Sequence, residues 1–279
     1  MEYNIKNSLL NAAHAVADAD ALLITSGAGM GVDSGLPDFR GREGFWKEYP
    51  AIANMGISFE EMANPQWFES DPHLAWAFYG HRLNLYRNTT PHLGFRQLLD
   101  IASSKKYGFK VMTSNVDGQF QRAGFNADNI MECHGSIHHM QCINGCGSGI
   151  WSGHAIEVEV DETEFKAVGE LPQCSCGGLA RPNILMFGDW GWDGSRSGEQ
   201  EKRLQNWLNT IRNNTVKLAV IEVGAGLLVP TIRMNSERFA DICDAVLIRI
   251  NPRDFKVPQP HISIPLGGRE GIAAIVDLL

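Results

Sequence analysis

The chain has 279 residues, of which 44% are hydrophobic and 20% charged, and its formal net charge is −8 at pH 7. This length suffices for one large domain or two modest ones. No run of about 18 apolar residues is present, so we expect no membrane span and no membrane partner. An acidic chain without a dense cluster of lysines and arginines is not expected to bind nucleic acid directly.

Segment 1–20 lacks the basic stretch followed by an apolar stretch that is typical of a signal peptide. We therefore expect a cytoplasmic location. In that compartment cysteines are expected to be reduced thiols or metal ligands, because disulfides are rare there.

The hydrophobic pattern alternates between helical and strand periods along the chain. Segment 5–19 places apolar side chains on one face of a helix, and segment 21–25 follows as a short apolar run of strand length. Helical patterns at 91–102 and around 201–211 separate further strand-length runs rich in valine and isoleucine, at 109–113, 218–223 and 245–250. The alternation predicts an α/β fold, a Rossmann-like doubly wound parallel sheet with helices on both faces.

Segment 136–182 interrupts this rhythm, because it is rich in cysteine and glycine and has no apolar run long enough for a central strand. We interpret it as a small inserted module between two parts, 1–135 and 183–279, of the Rossmann-like domain. A second irregular segment, 42–64, has glycine and proline between aromatic residues, which is typical of a mobile loop near a site.

Four of the six cysteines form two tight pairs, Cys142 with Cys146 and Cys174 with Cys176. Such a set is typical of a closed structural zinc site, in which four thiolates surround one ion. The metal would hold together a loop-rich module that has little hydrophobic core of its own. Four buried reduced thiols are the alternative.

A glycine-rich turn, Gly27-Ala28-Gly29, directly follows the first predicted strand. Glycine at this place lets the backbone come close to a pyrophosphate, and the next helix offers free N–H groups. By itself the turn is equally compatible with an ordinary strand-to-helix connection. The sequence then continues as SGLPDFRG at 34–41.

These segments together resemble the sirtuin (Sir2) family, in which a GAG turn precedes serine-glycine, an apolar residue and PDFRG. The resemblance continues in order along nearly the whole chain. Its later segments are TSNVDG at 113–118, HG at 134–135, the two cysteine pairs, CGG at 176–178, RP at 181–182, FGD at 187–189, VG at 223–224 with proline at 230, and IN at 250–251.

The resemblance implies an NAD-dependent enzyme that removes acyl groups from lysines of acylated proteins or peptides and releases nicotinamide and O-acyl-ADP-ribose. It implies that His134 is the general base, which suits an imidazole titrating near neutrality. It also implies that Phe39 shields the sugar carbon that loses nicotinamide, that Asn251 contacts the adenosine end, and that Asn115 and Asp117 form the catalytic nicotinamide pocket.

The NAD phosphates are assigned on the same basis to the glycine turn and the arginine of PDFRG. By number, the glycine turn is Gly27, Ala28 and Gly29, and the arginine is Arg40. The resemblance also implies that Asp38 and Gly224 bind NAD. Nothing matches His138 and His139 to a role, and we interpret both as polar loop residues.

The resemblance also predicts how the acylated substrate is held. Phe187 and Gly188 match the segment that pairs with the substrate peptide as an added strand. Tyr79 and Arg82 are three residues apart on a predicted helix, and this spacing resembles the class III sirtuins, which remove succinyl and malonyl groups. A guanidinium and a phenol would grip the distal carboxylate of such an acyl chain. The alternative is a surface arginine beside a packing tyrosine.

The chain departs from the family pattern at several positions near the expected NAD site. Gly31 stands where serine is common, Ser114 where glutamine is common and 225–226 where threonine-serine is common, so side-chain hydrogen bonds are lost. The pair Cys174 and Cys176, with one intervening residue, is also more closely spaced than is usual in the family.

Two alternative functions stay open: an ADP-ribosyltransferase or NAD glycohydrolase, and a non-catalytic NAD or ADP-ribose sensor. A sensor has no need of a base such as His134.

Overall fold

A computed structural model describes residues 5–37 and 41–279, without the side chains of 41–44. The helices are α1 (Ile5–Asp18), α2 (Gly29–Val32), α3 (Gly41–Glu48), α4 (Pro50–Asn54), α5 (Phe59–Met62), α6 (Trp67–Ser70), α7 (Pro72–Asn88), α8 (Leu93–Ser103), α9 (Gln119–Arg122), α10 (Ser195–Asn213), α11 (Thr231–Ile242) and α12 (Gly268–Val276), with a 3₁₀ turn at Ala127–Asn129. The strands are β1 (Ala21–Ser26), β2 (Phe109–Thr113), β3 (Ile130–Glu132), β4 (Gly135–Cys142), β5 (Trp151–Ser152), β6 (Glu159–Asp161), β7 (Lys166–Val168), β8 (Ala180–Ile184), β9 (Leu218–Val223), β10 (Val246–Ile250) and β11 (Ile262–Ile264).

Six of the strands form one parallel sheet in the order β3-β2-β1-β9-β10-β11. Counted along the chain within this sheet, the order is 3-2-1-4-5-6, the arrangement of dinucleotide-binding sheets. The predicted α/β fold with a doubly wound parallel sheet is confirmed. The order reverses between β1 and β9, where Ser26 lies opposite Val223. A ligand crevice is expected at this point, outside the carboxyl ends of the strands.

Burial on both faces explains why the central strands have no polar alternation. Every residue of β1 and β9 is buried. On one face the sheet packs against α1, α8 and α12, through side chains such as Val16, Leu98 and Ile272. On the other face it packs against α10 and α11, through Leu208 and Phe239 among others. A strand that is covered on both faces therefore consists mainly of apolar residues, without alternation.

Short antiparallel strands make up the segment predicted as an inserted module. β4 pairs with β8 and with β5, and β6 pairs with β7. β4 starts at Gly135, whose φ is +78°. A Cβ at this position would lie 2.1 Å from the carbonyl oxygen of Asn183, so only glycine fits where β4 crosses the end of β8.

Segment 42–64 differs from the prediction of an irregular loop, because it contains α3, α4 and α5. Helix α5 starts with a capping box, in which Ser58 N–H donates to Glu61 Oε2 at 2.8 Å and Glu61 N–H donates to Ser58 Oγ at 3.3 Å. The prediction was wrong because helices of one or two turns are too short to show a helical period.

A second core joins these helices to the small strands rather than to the parallel sheet. Buried side chains of α3 to α7 pack with those of β4, β7 and β8. Trp76 Nε1 donates to the carbonyl of Ala180 at 3.0 Å, and a Cβ at Gly80 would lie 2.6 Å from a Val158 methyl group. The boundaries 136–182 for the small module stay a prediction, and the packing adds α3–α7 to its surroundings. No helix among the described residues combines the length and apolarity needed to cross a bilayer.

Candidate active site

The loops after β1 and β9 pack directly on each other at the switch point of the sheet. The N–H of Gly29 donates to the carbonyl of Gly224 at 3.0 Å. A Cβ at Gly27 would lie 2.9 Å from Ala225 Cα, and one at Gly224, whose φ is +67°, would lie 2.4 Å from the carbonyl carbon of Gly29. Ala28 is the N-cap residue of α2. Glycine is therefore required for the two loops to approach this closely.

The predicted NAD contacts Asp38, Phe39 and Arg40 lie outside the described residues and stay predictions. Gly31, on α2, is buried, and a Cβ there would lie 3.1 Å from Leu36 Cδ1, so a serine would crowd that side chain. A Cβ at Gly226 would meet nothing within 4 Å. Packing therefore accounts for the departure from the family pattern at Gly31 and not for the one at Gly226.

The loop after β2 carries Asn115 and Asp117. Asn115 Nδ2 donates to the carbonyl of Gly27 at 3.0 Å, and its N–H donates to Thr113 Oγ1 at 3.0 Å. Asp117 Oδ1 accepts from the N–H of Gln119 at 2.9 Å. These bonds fix the loop beside the glycine turn after β1, so the structure brings together two parts of the predicted site that are far apart in sequence.

Burial raises the pKa of the Asp117 carboxyl to about 6, from an ordinary value of 3.8. The nearby Glu132 carboxyl adds to this increase, whereas the hydrogen bond from Gln119 N–H and the charge of Arg82 oppose it. Asp117 therefore changes between a neutral acid and a carboxylate just below neutral pH. As a carboxylate it only accepts hydrogen bonds.

His134 lies between β3 and β4, and its side chain is half-buried. Burial lowers the pKa of His134, so its imidazole is neutral at pH 7 and able to accept a proton. Its carbonyl accepts from the N–H of Leu185 at 3.0 Å, which ties it to the segment after β8. Two residues earlier, buried Glu132 forms an ion pair with Arg196 of α10.

His138 contacts the loop that carries Asp117, a contact that the sequence did not reveal. The interpretation of His138 and His139 as loop residues is wrong, because both lie in β4. His138 Nε2 lies 2.9 Å from the carbonyl oxygen of Asp117. A Cβ at Gly118 would lie 2.7 Å from His138 Cδ2. No local pattern marks this contact, since it forms only where β4 passes the loop after β2.

Asn251 follows β10 and is completely buried. Its Nδ2 donates to the carbonyl of Ala225 at 2.9 Å, and its Oδ1 accepts from the N–H groups of Arg253 and Asp254, each at 2.9 Å. The side chain therefore links the loop after β9 to the loop after β10. Its predicted contact with adenosine stays a prediction.

Tyr79 and Arg82 lie on α7, and their side chains are 1% and 7% exposed, which rules out the alternative of a surface arginine. Arg82 Nη2 and Nε donate to the Tyr86 hydroxyl at 2.7 and 3.0 Å, and the guanidinium lies 5.2 Å from the ring centre of Phe78. The Tyr79 hydroxyl is buried and has no hydrogen-bond partner among the described residues. Burial raises the pKa of Tyr79, so its phenol stays a donor.

The segment after β8 contains Phe187 and Gly188, the predicted peptide-binding residues. The N–H of Phe187 donates to the carbonyl of Ala63 at 2.9 Å, and the Phe187 side chain is 41% exposed. Gly188 has φ +69°. A buried pair, Arg181 with Asp189, holds the turn that follows, with an N–O distance of 2.7 Å. Pairing with a peptide stays a prediction.

The four paired cysteines come together in one cluster, with their sulfur atoms all within 4.8 Å of one another. Cys142 and Cys176 are 3.7 Å apart at sulfur, and Cys146 and Cys174 are 3.5 Å apart. A tetrahedral zinc ion with Zn–S bonds of about 2.3 Å separates its sulfur ligands by about 3.8 Å. The cluster therefore fits a closed zinc site, and the Cys-Ser-Cys spacing is compatible with it.

Comparison with known proteins agrees with this architecture. A model of the Sir2 family matches residues 27–201. An NAD-dependent protein deacylase of Thermococcus kodakarensis is 33% identical over 180 residues, which cover 64% of this chain and 64% of that protein. The mitochondrial NAD-dependent protein deacylase sirtuin-5 of Canis lupus familiaris is 32% identical over 190 residues, covering 62% of this chain and 57% of that protein.

The chain thus spans less than two thirds of the length of these two relatives. A solved complex of a Sir2 homolog with NAD has the same fold, with a TM-score of 0.68 and 24% identity over 98% of this chain and 93% of that chain. Because the family model covers more than half of its residues, this chain belongs to the Sir2 family.

Proposed function

We propose that this chain is an NAD-dependent protein-lysine deacylase that acts on acylated proteins or peptides and releases nicotinamide and O-acyl-ADP-ribose. One observation carries the proposal: Asn115 bonds the Gly27 turn, Asp117 lies on the same loop, and a neutral His134 follows β3, all at the carboxyl ends of the parallel strands. NAD, when bound, supplies a sugar carbon from which nicotinamide can leave.

The residues of this set have different roles in NAD binding and proton transfer. We assign the phosphates of NAD to the tight glycine loops, because glycine has no side chain that would keep a pyrophosphate away from the backbone. The amide of Asn115 and the carboxylate of Asp117 hold the nicotinamide carboxamide. His134 takes a proton from a ribose hydroxyl, and a positioned base of this kind contributes about 10² to 10⁴ in rate.

The buried cluster on α7 favours an acyl group that ends in a carboxylate. Arg82 presents a guanidinium among aromatic rings, and the Tyr79 hydroxyl is a buried donor with no partner among the described residues. A succinyl or malonyl carboxylate would accept charge-assisted hydrogen bonds from both. An acetyl group has no distal carboxylate to accept these hydrogen bonds. We therefore propose that desuccinylation exceeds deacetylation.

We propose that zinc is bound as a structural ion by the cysteine cluster.

The location we propose is the cytoplasm, which agrees with the six cysteines all being free thiols in the structure. The net charge of −8 supports the absence of a direct nucleic-acid partner.

The test is mass spectrometry of the products formed from NAD with one peptide in succinylated, acetylated and unmodified forms. We expect nicotinamide release only with an acylated peptide, and faster release with the succinylated form. Release without any peptide would identify an NAD glycohydrolase, and an ADP-ribose adduct on protein would identify an ADP-ribosyltransferase. Binding of NAD without turnover of any peptide would identify a sensor.

A further inference from the structure

We propose that His138 is a positioning residue of the nicotinamide pocket, whose Nε2–H holds the carbonyl of Asp117 and thereby sets the direction of the Asp117 carboxylate. The inference rests on the proposed function, because it takes the loop around Asp117 to be the nicotinamide-binding loop. His138 itself touches neither NAD nor the acylated peptide in this proposal.

The first support is the hydrogen bond itself. His138 Nε2 lies 2.9 Å from the Asp117 carbonyl oxygen. A carbonyl oxygen only accepts, so Nε2 carries the proton and donates it. The carboxylate of the same residue is held at Oδ1 by the N–H of Gln119, at 2.9 Å. Asp117 is therefore fixed through both its main chain and its side chain.

The second support is the match between the His138 ring and the turn at Gly118. Gly118 has φ +71°, and a Cβ there would lie 2.7 Å from Cδ2 and 2.8 Å from Nε2 of His138. The imidazole thus packs directly on the backbone of the residue after Asp117. Any side chain at 118 would push the ring away, so the close approach and the hydrogen bond depend on each other.

The third support is the anchoring of the His138 main chain. Its carbonyl accepts from the N–H of Gly153 at 2.7 Å. The carbonyl of Gly153 accepts from Arg87 Nη2 at 2.7 Å, and Arg87 Nη1 donates to Ile156 at 2.6 Å. Arg87 lies on α7, the helix that carries Tyr79 and Arg82. The main chain of His138 is thereby linked to α7 through Gly153 and Arg87, while its ring bonds the loop after β2.

The surroundings of His138 lower its pKa and keep its imidazole neutral near pH 7. Burial lowers the pKa of His138; Arg87 and Arg122 act in the same direction, while the Asp117 carbonyl and Glu132 oppose them. The donor at Nε2 is present in the neutral ring and in the cation. The hydrogen bond to Asp117 therefore survives acidification, and replacing His138 should leave the ionisations of the pH–rate profile unchanged.

The experiment compares His138→Phe, which keeps a ring but removes the donor, with His138→Gln, whose amide nitrogen can take the place of Nε2. His73→Phe is the matched control, because His73 Nδ1, on α7, bonds the backbone carbonyl of Ala167, in β7, at 2.7 Å. The measurements are NAD affinity by calorimetry without peptide, nicotinamide inhibition of turnover, and hydrogen exchange of segment 115–119.

We expect His138→Phe to weaken NAD binding and nicotinamide inhibition by about two- to tenfold, the value of one ordinary hydrogen bond, and to speed exchange in segment 115–119. His138→Gln should restore most of each property, and His73→Phe should change none of them. If His138→Phe does not fold, His138→Asn replaces it, because an amide one methylene shorter than that of glutamine cannot reach Asp117.

Unchanged nicotinamide inhibition in the donor-free variant would overturn the inference, as would equal effects of His73→Phe. Failure of His138→Gln to restore inhibition would also overturn it. A wild-type protein that does not bind NAD contradicts the proposed function instead, so the two failures are distinguishable.

Discussion

The cysteine cluster and the predicted substrate cleft both gather polar side chains, but they differ in how these side chains are satisfied. The predicted cleft comprises Tyr79, Arg82, Asn115, Asp117 and His134. In the cluster, four sulfur atoms within 4.8 Å of one another form a complete ligand set for one ion. In the cleft, the Tyr79 hydroxyl has no partner among the described residues, and the Asp117 carboxyl has its pKa raised by burial to about 6.

This difference separates residues that stabilise the fold from residues that serve a ligand. A closed metal site contributes its binding free energy to folding. A buried polar group that waits for a ligand costs stability until the ligand comes. Substitutions in the cluster should therefore damage the fold, whereas substitutions in the cleft should damage function and leave the fold intact or more stable.

The largest effect is expected from breaking the closed site with Cys174→Ser. The small module (136–182) should lose its zinc ion and become more mobile between residues 142 and 178. The binding of structural zinc contributes about 10 to 16 kcal/mol to the folding of small modules. Metal analysis and hydrogen exchange of this segment measure the change. Cys243→Ser, at a cysteine outside the cluster, is the control. Purified wild-type protein without zinc would contradict the prediction.

The next effect concerns the base in the cleft. His134→Ala should lower turnover by about 10² to 10⁴ and leave NAD affinity and melting temperature nearly unchanged, since the ring acts after NAD is seated. Steady-state kinetics and calorimetry measure the two properties separately. Because burial lowers the pKa of His134, wild-type turnover should persist below pH 7 until the imidazole becomes protonated. Near-normal turnover in the variant would refute the mechanism.

Arg82→Met should cost roughly 2 to 5 kcal/mol in the selectivity for succinyl-lysine over acetyl-lysine, the range for removing one partner of a buried charge pair. Deacetylation should barely change. The ratio of kcat/KM for the two peptides measures this selectivity. Arg96→Met is the matched control, because Arg96 is an exposed arginine paired with Asp100 on α8. Equal loss of both activities would show that Arg82 is structural.

The smallest effect is a gain of stability in Asp117→Asn. In the folded protein the pKa of Asp117 is about 6, above its ordinary 3.8, so the folded state binds the proton more tightly and loses stability as pH rises from 4 to 6. Asparagine removes this loss, so the variant should be about 1 to 3 kcal/mol more stable at pH 8 and equally stable at pH 4. Urea unfolding at both pH values measures the difference.

The same Asp117→Asn variant should show a higher KM for NAD and weaker nicotinamide inhibition, because a carboxylate that accepts from the carboxamide is lost. Wild-type KM for NAD should likewise rise as pH falls through 6. A stability gain with unchanged nicotinamide inhibition would remove Asp117 from the pocket.

The sequence by itself determined the parallel sheet and the cysteine ligands. Strands such as Leu218–Val223, in which Glu222 is the one charged residue, are almost entirely apolar because helices cover both faces, and this signal is local. The cysteine pairs and the Gly27 turn are likewise recognisable from neighbouring residues alone. These features need no knowledge of which distant segments meet.

The tertiary structure decided what depends on contacts between distant segments. The short helices of 41–70 are stabilised by packing against α7 and the small strands, so they leave little helical period in the sequence. Burial of Arg82 follows from the rings of Phe78, Tyr79 and Tyr86 around it. His138 reaches Asp117 only because β4 crosses the loop after β2, and a contact across 21 residues has no signature in either segment.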